Sequence, residues 1–347
     1  MLNDLITKLA QTHRLETEEY RLLMDRRDPE AAERLASLAR QAARQVYGNR
    51  VFVRGLVEIS NICKNDCLYC GIRRSNRACD RYRLTAEQIL ACADEGHRLG
   101  FRTIVMQGGK DGSFTDEVLC AIVRAIKRAH PDVAVTLSMG ERGRESYQRL
   151  FDAGADRYLL RHETATKAHY ERLHPAAMSF DNRMRCLQDL HEIGYQTGCG
   201  FMVGSPFQTT ADLARDLKFI EQFHPEMCGI GPFIPHKDTA FRDEPAGTVE
   251  LTCYLLSILR LIQPNLLLPA TTALGTIDPA GREKGILSGA NVVMPNLSPA
   301  SVREKYMLYD NKLSSGAEAA QNLQDLKDRM AAIGYEVVVD RGDCKSE

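Results

Sequence analysis

Val51-Phe-Val-Arg-Gly-Leu-Val-Glu-Ile59 runs directly into Ser60-Asn-Ile-Cys63-Lys-Asn-Asp-Cys67-Leu-Tyr-Cys70-Gly71. The first stretch has the pattern of an apolar strand. The second is a polar loop carrying three thiols spaced C-x3-C-x2-C. Structural zinc takes four protein ligands and an ordinary iron–sulfur cluster takes four thiolates, so three cysteines are one short of a closed site. The loop therefore points to a cluster with one metal left open for a substrate or cofactor. Two plainer readings stand beside it. Free cysteine is a common buried hydrophobe, and a zinc knuckle can borrow a distant ligand. Cys92, Cys120, Cys186 and Cys253 on helical patterns, with Cys199 and Cys228 in strand-like ones, fit the buried reading. Three cysteines within eight positions fit it poorly.

Outward from that strand the chain alternates short apolar runs with amphipathic stretches. Residues 1 to about 47 have helical texture, with Leu35, Leu38, Ala39, Ala42 and Val46 at helical spacing after the start signal Asp28-Pro29. Further strand candidates are 103–106, 133–137, 157–160, 198–203, 227–230, 266–270 and 291–294. Helical segments fall near 85–99, 115–129, 143–153, 181–193, 209–222, 248–262 and 280–288. Several begin after Thr, Ser or Asp, and Gly100, Gly154, Gly194 and Gly289 close helices ahead of the next strand. Eight strands with intervening helices predict an α/β fold, a complete (β/α)8 TIM barrel. An open doubly wound sheet would need a Gly-x-Gly-x-x-Gly turn after its first strand, which is missing. The expected organisation is an N-terminal helical extension at 1–50, the barrel at 51–312 and a C-terminal appendage at 313–347. In that appendage a Ser-Ser-Gly link leads to one helix and the short strand Val337-Val338-Val339.

Composition narrows the partners. Lys+Arg number 45 against Asp+Glu 46, a formal net charge of −1, so no basic surface calls for nucleic acid or anionic membrane. Met1-Leu-Asn-Asp-Leu lacks a charged segment leading into an apolar one, and no apolar run is long enough to span a bilayer. An odd count of 11 cysteines with one tight cluster argues against a secreted disulfide framework. A cytoplasmic protein is expected.

In barrel enzymes the chemistry collects at the C-terminal ends of the strands. Here those ends are the thiol loop, Gln107-Gly108-Gly109, Ser138-Met139-Gly140-Glu141, Arg161-His162-Glu163-Thr164, Gly204-Ser205-Pro206, Gly231-Pro232-Phe233-Ile234-Pro235-His236, Thr271-Thr272 and Pro295-Asn296. Glycines there let backbone approach a ligand closely. Taken singly, a Gly-Gly pair is an ordinary turn, Arg-His-Glu an ordinary salt-bridged rim, and Pro-x-x-Pro a rigid loop. Their recurrence at one end of successive strands is what marks a site.

Tyr69, directly before the last cysteine, completes the pattern of radical S-adenosylmethionine (SAM) enzymes. Together with Arg157-Tyr-Leu-Leu-Arg-His-Glu-Thr164, Gly229-Ile-Gly-Pro-Phe-Ile-Pro-His236, Pro269-Ala-Thr-Thr-Ala273 and Ala290-Asn-Val-Val-Met-Pro-Asn296, the thiol loop resembles the HydE family, over roughly residues 5 to 310. That family comprises the radical SAM maturases of [FeFe]-hydrogenase, in the biotin synthase-like group. The resemblance implies a (β/α)8 barrel in which Cys63, Cys67 and Cys70 hold one [4Fe–4S] cluster whose open iron chelates SAM. It implies that Glu163 binds the SAM ribose hydroxyls and that Arg183 pairs with its carboxylate. A carboxylate suits a diol, and a guanidinium a carboxylate. Tyr69, Gln107, Gly108, Gly109, Thr136, Ser138, Arg161, Met202, Thr271, Thr272, Met294 and Tyr306 would line the SAM and substrate cavity. The implied reaction is reductive cleavage of SAM to methionine and a 5′-deoxyadenosyl radical, which attacks a cysteine-bound Fe(CO)2CN unit. The implied partners are that organometallic small molecule, transient contacts with other maturases, and a reductant such as ferredoxin or flavodoxin.

Two departures qualify the resemblance. Many relatives carry three C-terminal cysteines for an accessory cluster, whereas the segment after Tyr309 has none, so a single cluster is expected. Where the family has an acidic residue to meet the SAM amino group, this chain reads Gly109-Lys110-Asp111, which leaves Asp111, a backbone carbonyl or Gln107 to replace it. The alternatives are a sister radical SAM mutase of the methylornithine synthase (PylB) type and, from another class, a non-catalytic iron–sulfur carrier or scaffold.

Overall fold

The apolar run at 51–59 forms two strands, β1 (Arg50–Val53) and β2 (Gly55–Ser60), in the computed structural model, which describes residues 2–314 and 319–346. The remaining strands are β3 (Thr103–Gly108), β4 (Ala134–Ser138), β5 (Arg157–Leu159), β6 (Gln196–Cys199), β7 (Met202–Val203), β8 (Met227–Cys228), β9 (Gly231–Pro232), β10 (Val292–Val293) and β11 (Glu336–Val338). A six-stranded sheet in the order β2-β3-β4-β5-β6-β8 is parallel throughout. Parallel neighbours require long crossovers, and the helices Ala86–Arg98, Asp116–Ala129, Arg144–Asp152, Phe180–Ile193 and Thr210–Phe223 supply them. The protein is therefore α/β, as expected. Register sets Gln107 beside both Glu58 and Ser138, so three polar side chains stand level at one end of the sheet. Along β2, Val57 and Ile59 enter the hydrophobic core while Glu58 faces the other way.

Outside this sheet, β1 pairs in parallel with β10 and β11, and β7 pairs with β9. Single parallel bridges join Met227 to Leu267, Pro269 to Val292 and Leu56 to Asn296. The run at 266–270, expected as a strand, makes only such bridges, because Pro269 has no N–H to donate to a ladder. The runs at 198–203 and 227–230 also break, where Gly200 (φ 145°) passes so close to Gly229 that an added Cβ would lie 2.0 Å from its carbonyl oxygen.

Four of the five crossover helices begin at a capping side chain, and Arg144–Asp152 begins at Gly143 without one. Thr85 caps its helix in a reciprocal box with Gln88, and Thr115, Ser179, Thr209 and Thr248 each accept an N3 backbone N–H. The N-terminal region is three helices, Leu2–Thr12, Thr17–Asp25 and Pro29–Tyr47, the last capped by Asp28. They lie against Thr210–Phe223 and Val249–Ile262: Tyr20 Oη donates to Glu221 at 2.7 Å and Tyr254 Oη to the Leu23 carbonyl at 2.8 Å. Three short helices, Lys167–Leu173, Thr272–Ile277 and Ala300–Arg303, were not anticipated. Among the described residues no helix is long and apolar enough to cross a membrane.

The C-terminal helix spans Leu323–Ala332, and part of the Ser-Ser-Gly link before it lies outside the described residues. The tail that follows β11 crosses the N-terminal end of the sheet. Arg157, fully buried, donates to Thr103 Oγ1 (2.9 Å), the Arg341 carbonyl (2.9 Å) and Asp343 Oδ1 (2.6 Å). The tail thus supplies the carboxylate for a charge buried under the sheet.

Candidate active site

The thiol loop has almost no regular structure, so side chains hold it. Arg81 donates to four carbonyls, those of Asn61, Ile72, Arg73 and Asn76. Asp66 accepts from Arg73 Nε and from the Ser75 backbone and hydroxyl, and these donors, the Arg73 hydrogen bond foremost, outweigh burial and hold its carboxyl below the usual range. Asn61 Nδ2 reaches the carbonyls of Asp80 (2.8 Å) and Lys305 (2.7 Å). The loop docks on the end of β3 through Gly109, where an added Cβ would lie 2.3 Å from the Ile62 oxygen and 2.8 Å from Cys63 Cβ. Lys110 N–H points at Cys63 Sγ, 3.3 Å away.

Above the sheet the polar strand ends enclose a cavity of ≈ 350 Å³. Cys63, Tyr69, Cys70, Gln107, Gly108, Gly109, Ser138, Arg161, Glu163, Arg183, Met202, Thr271, Thr272, Met294 and Tyr306 all line it. Cys67 and Thr136 do not. Cys67 Sγ lies 3.7 Å from Met178 Sδ, and the Thr136 hydroxyl is buried without a partner on the same face of β4 as Ser138. A second groove, beside helix Ala86–Arg98, contains none of the expected residues.

Beyond the end of β5 the Arg161-His162-Glu163 string divides between two sides. Arg161 and Glu163 face the cavity; His162 turns outward, accepts from Gly200 N–H at Nδ1 and so donates from Nε2 to buried Asp216 at 3.2 Å. Glu163 has φ 68°, an uncommon conformation for a non-glycine residue, and such strain concentrates at functional sites. Its Oε2 stands 3.3 Å from Arg161 Nη2, yet neither atom has a hydrogen-bond partner, nor do Arg161 Nε and Thr271 Oγ1. Buried polar atoms ordinarily have a partner, and these four belong to side chains that line one cavity.

Arg183 sits on a helix, yet is buried against the cavity. Its Nε donates to Glu141 Oε1 (2.9 Å) and its Nη1 to the Arg161 carbonyl (2.5 Å). Burial would raise the Glu141 carboxyl, but Arg183 and then Lys110 (3.5 Å) outweigh it and hold it below the ordinary value. Asp111 is unavailable as a new acceptor: Arg83 grips both its oxygens (2.6 and 2.7 Å), and Ser60 and Ser113 bond it too. Of the acceptors expected to replace the missing acid, Gln107 remains on the cavity wall. His174 was not singled out in the sequence. Its Nδ1 donates to the Tyr170 carbonyl (2.9 Å), which leaves Nε2 to accept from Tyr69 Oη (3.2 Å). Burial, with Arg183 nearby, pushes it down to about 3, so it is neutral.

The residues fit an iron–sulfur cluster better than a single ion. Among the described residues no three His, Cys, Asp or Glu side chains converge as a one-ion site would require, the three thiols included. Thiols that each bind a different metal of a cluster need no such convergence. Burial pushes Cys67 up to about 12 and Cys70 well above its ordinary value, so these thiols are neutral as they stand, and a metal bound to them would have to displace their protons.

Comparison with known proteins gives the family. The radical SAM superfamily model matches residues 57–220. The [FeFe] hydrogenase maturase subunit HydE of Thermotoga maritima is 47% identical over 281 residues, 81% of this chain and 80% of that protein. The 3-methylornithine synthase of Methanosarcina acetivorans is 28% identical over 95% of this chain and 92% of its own length. The crystal structure of methylornithine synthase (PylB) superposes with a TM-score of 0.85 at 25% identity, covering 96% of this chain and 97% of that one. The chain is a radical SAM enzyme, and it belongs to the HydE hydrogenase maturase family.

Proposed function

We propose that this enzyme cleaves SAM reductively and acts on a cysteine-bound Fe(CO)2CN precursor during assembly of the [FeFe]-hydrogenase H-cluster. The observation that carries the reading is one cavity with two thiols of the loop, Cys63 and Cys70, on one wall and the Arg161, Glu163 and Thr271 atoms that lack hydrogen bonds on the others. When bound, the cluster and SAM would supply the electron transfer and the 5′-deoxyadenosyl radical.

The chain's own residues do the holding. Cys63, Cys67 and Cys70 are assigned to a single [4Fe–4S] cluster. Glu163 Oε2 is assigned to the SAM ribose diol and Arg183 to its carboxylate, with Gln107 the acceptor for its amino group. Arg161, Thr271, Thr272, Met294 and Tyr306 are left to the substrate. SAM and substrate seated together in the cavity would displace water, which a reactive radical requires. We read the single bridges Met227–Leu267, Pro269–Val292 and Leu56–Asn296 as the closing steps of a (β/α)8 barrel spanning 51–312, between an extension at 1–50 and an appendage at 313–347. A cytoplasmic setting with a ferredoxin- or flavodoxin-like reductant, and transient contact with other maturases, completes the proposal.

Anaerobic reconstitution with iron and sulfide tests it. About four irons per chain are expected for one cluster. The reduced protein should form 5′-deoxyadenosine from SAM, and a synthetic cysteine-bound Fe(CO)2CN complex should accelerate this and be consumed. Indifference to that complex, or formation of methylornithine from a supplied amino acid, would turn the assignment toward the sister mutase. Absence of 5′-deoxyadenosine under every condition would leave a carrier.

A further inference from the structure

One ion pair on the cavity wall is absorbed by none of these roles. Glu58, fully buried in the middle of β2, accepts from Lys312 Nζ at 2.7 Å through Oε1 and from Asn296 Nδ2 at 2.9 Å through Oε2. Both partners arrive from beyond β10, and Lys312 comes from the segment after Tyr309. The Lys312 ammonium also lies 5.4 Å from the Tyr306 ring, and both Glu58 and Lys312 line the cavity. The carboxylate has a partner on each oxygen. The ammonium has three donors and, among the described residues, one acceptor.

Charge balance points the same way. The charged side chains of the lining are Lys110, Arg161, Arg183 and Lys312 against Glu58 and Glu163, and Glu141 stands behind Lys110 and Arg183. Even with Glu141 counted, cations outnumber carboxylates. A buried lysine is costly unless paired, and a chamber has no need of a spare cation if its contents are neutral. Resting on the substrate reading above, that content is an anion: with the cysteine amine neutral on the iron, one ferrous ion stands against a cyanide, a thiolate and an α-carboxylate.

We infer that Lys312 is a substrate-binding residue that grips an acceptor group at the anionic end of the substrate, and that Glu58 and Asn296 are positioning residues that aim its ammonium into the cavity. The acceptor is the carboxylate of the cysteine ligand or the cyanide nitrogen, the same chemistry from two sources.

The test is equilibrium binding to the reconstituted enzyme of synthetic Fe(CO)2CN complexes, one carrying cysteine and one carrying cysteamine, followed by their CO and CN infrared bands after ultrafiltration. Glu58→Gln with Lys312→Met removes both charges together and leaves none buried alone. That double variant should bind the cysteine complex at least about tenfold more weakly, the loss expected of a charge-assisted hydrogen bond, while Lys312→Arg stays within about threefold. A loss confined to the cysteine complex assigns the grip to the carboxylate; an equal loss on both assigns it to the cyanide. If the double variant does not fold, Lys312→Gln, which keeps a donor for Glu58 and drops the charge, carries the same comparison. Unchanged affinity in a folded, charge-free variant overturns the role of Lys312 alone, because a merely structural tie moves the thermal midpoint and not the dissociation constant. If the unsubstituted enzyme binds neither complex, the substrate reading fails, and this assignment falls with it.

Discussion

Glu163 combines three features at one residue: a left-handed backbone, burial, and a carboxylate oxygen with no hydrogen-bond partner. Strain and desolvation both cost stability, so their coincidence is expected where a ligand uses the result. Glu163→Gln should weaken SAM binding about tenfold or more, given the worth of hydrogen bonds to a charged group, and should leave the iron content unchanged. Equilibrium dialysis with SAM beside an iron assay separates the two; unaltered SAM affinity would remove Glu163 from the site. His174 gives the pH dependence. Its folded pKa, pushed down to about 3 by burial, lies below the ordinary value of 6.5, so the unfolded chain binds a proton that the folded one refuses between those values. The stabilising contribution is full above about pH 6.5 and declines as pH falls toward 3, at up to about 1.4 kcal/mol per pH unit. Urea unfolding at pH 7 and pH 5 should show the loss in the natural protein and a smaller one in His174→Leu. Equal losses would mean that other groups carry it.

At the scale of elements, the thiol loop is the least regular part of the site and the most dependent on one side chain. Arg81 serves four carbonyls that no helix or ladder satisfies. Arg81→Met should cost about 2 kcal/mol and lower cluster retention on gel filtration, although Arg81 binds no metal. A variant that keeps its full iron through repeated passages would show that the loop holds itself. This element also shows where the sequence was legible and where it was not. The thiols and the glycine-rich strand ends could be read because their chemistry is local, and the helix starts because a capping residue acts within three positions. The single strand assumed at 51–59 divides because its two halves bond to different partners, β10 and β11 for one and β3 for the other. No local pattern reports that. Glu58 did carry a signal, a carboxylate inside an apolar strand, but its meaning depends on Lys312, 254 positions away.

At the scale of the whole molecule, the two ends of the sheet have opposite character. The C-terminal end gathers groups with open valences around a cavity. The opposite end is closed by the chain's own tail, where Asp343 and the Arg341 carbonyl meet Arg157, and Cys344 N–H and the Asp343 carboxylate meet Gln196. The position of this tail could not be foreseen, because a surface strand such as Val337-Val338-Val339 signals pairing without naming its neighbour. The physical demand is nonetheless plain: a guanidinium fully removed from water needs an anion, and breaking a buried pair is far more damaging than never having built it. Truncation after Val339 should therefore destabilise the protein by about 3 kcal/mol, toward the lower end for a buried pair because water can enter where the tail lay. Asp343→Asn alone should cost about 1 kcal/mol, since its side chain is 40% exposed and its charge partly screened. Urea midpoints measure both, and SAM affinity should stay near that of the full chain because the tail touches none of the cavity. Equal midpoints for truncated and full-length protein would show that Arg157 is content with Thr103 and Gln196. A loss of SAM affinity matching the loss of stability would instead mean that the two ends of the sheet are coupled, and that the tail sets the geometry of the strand ends it underlies.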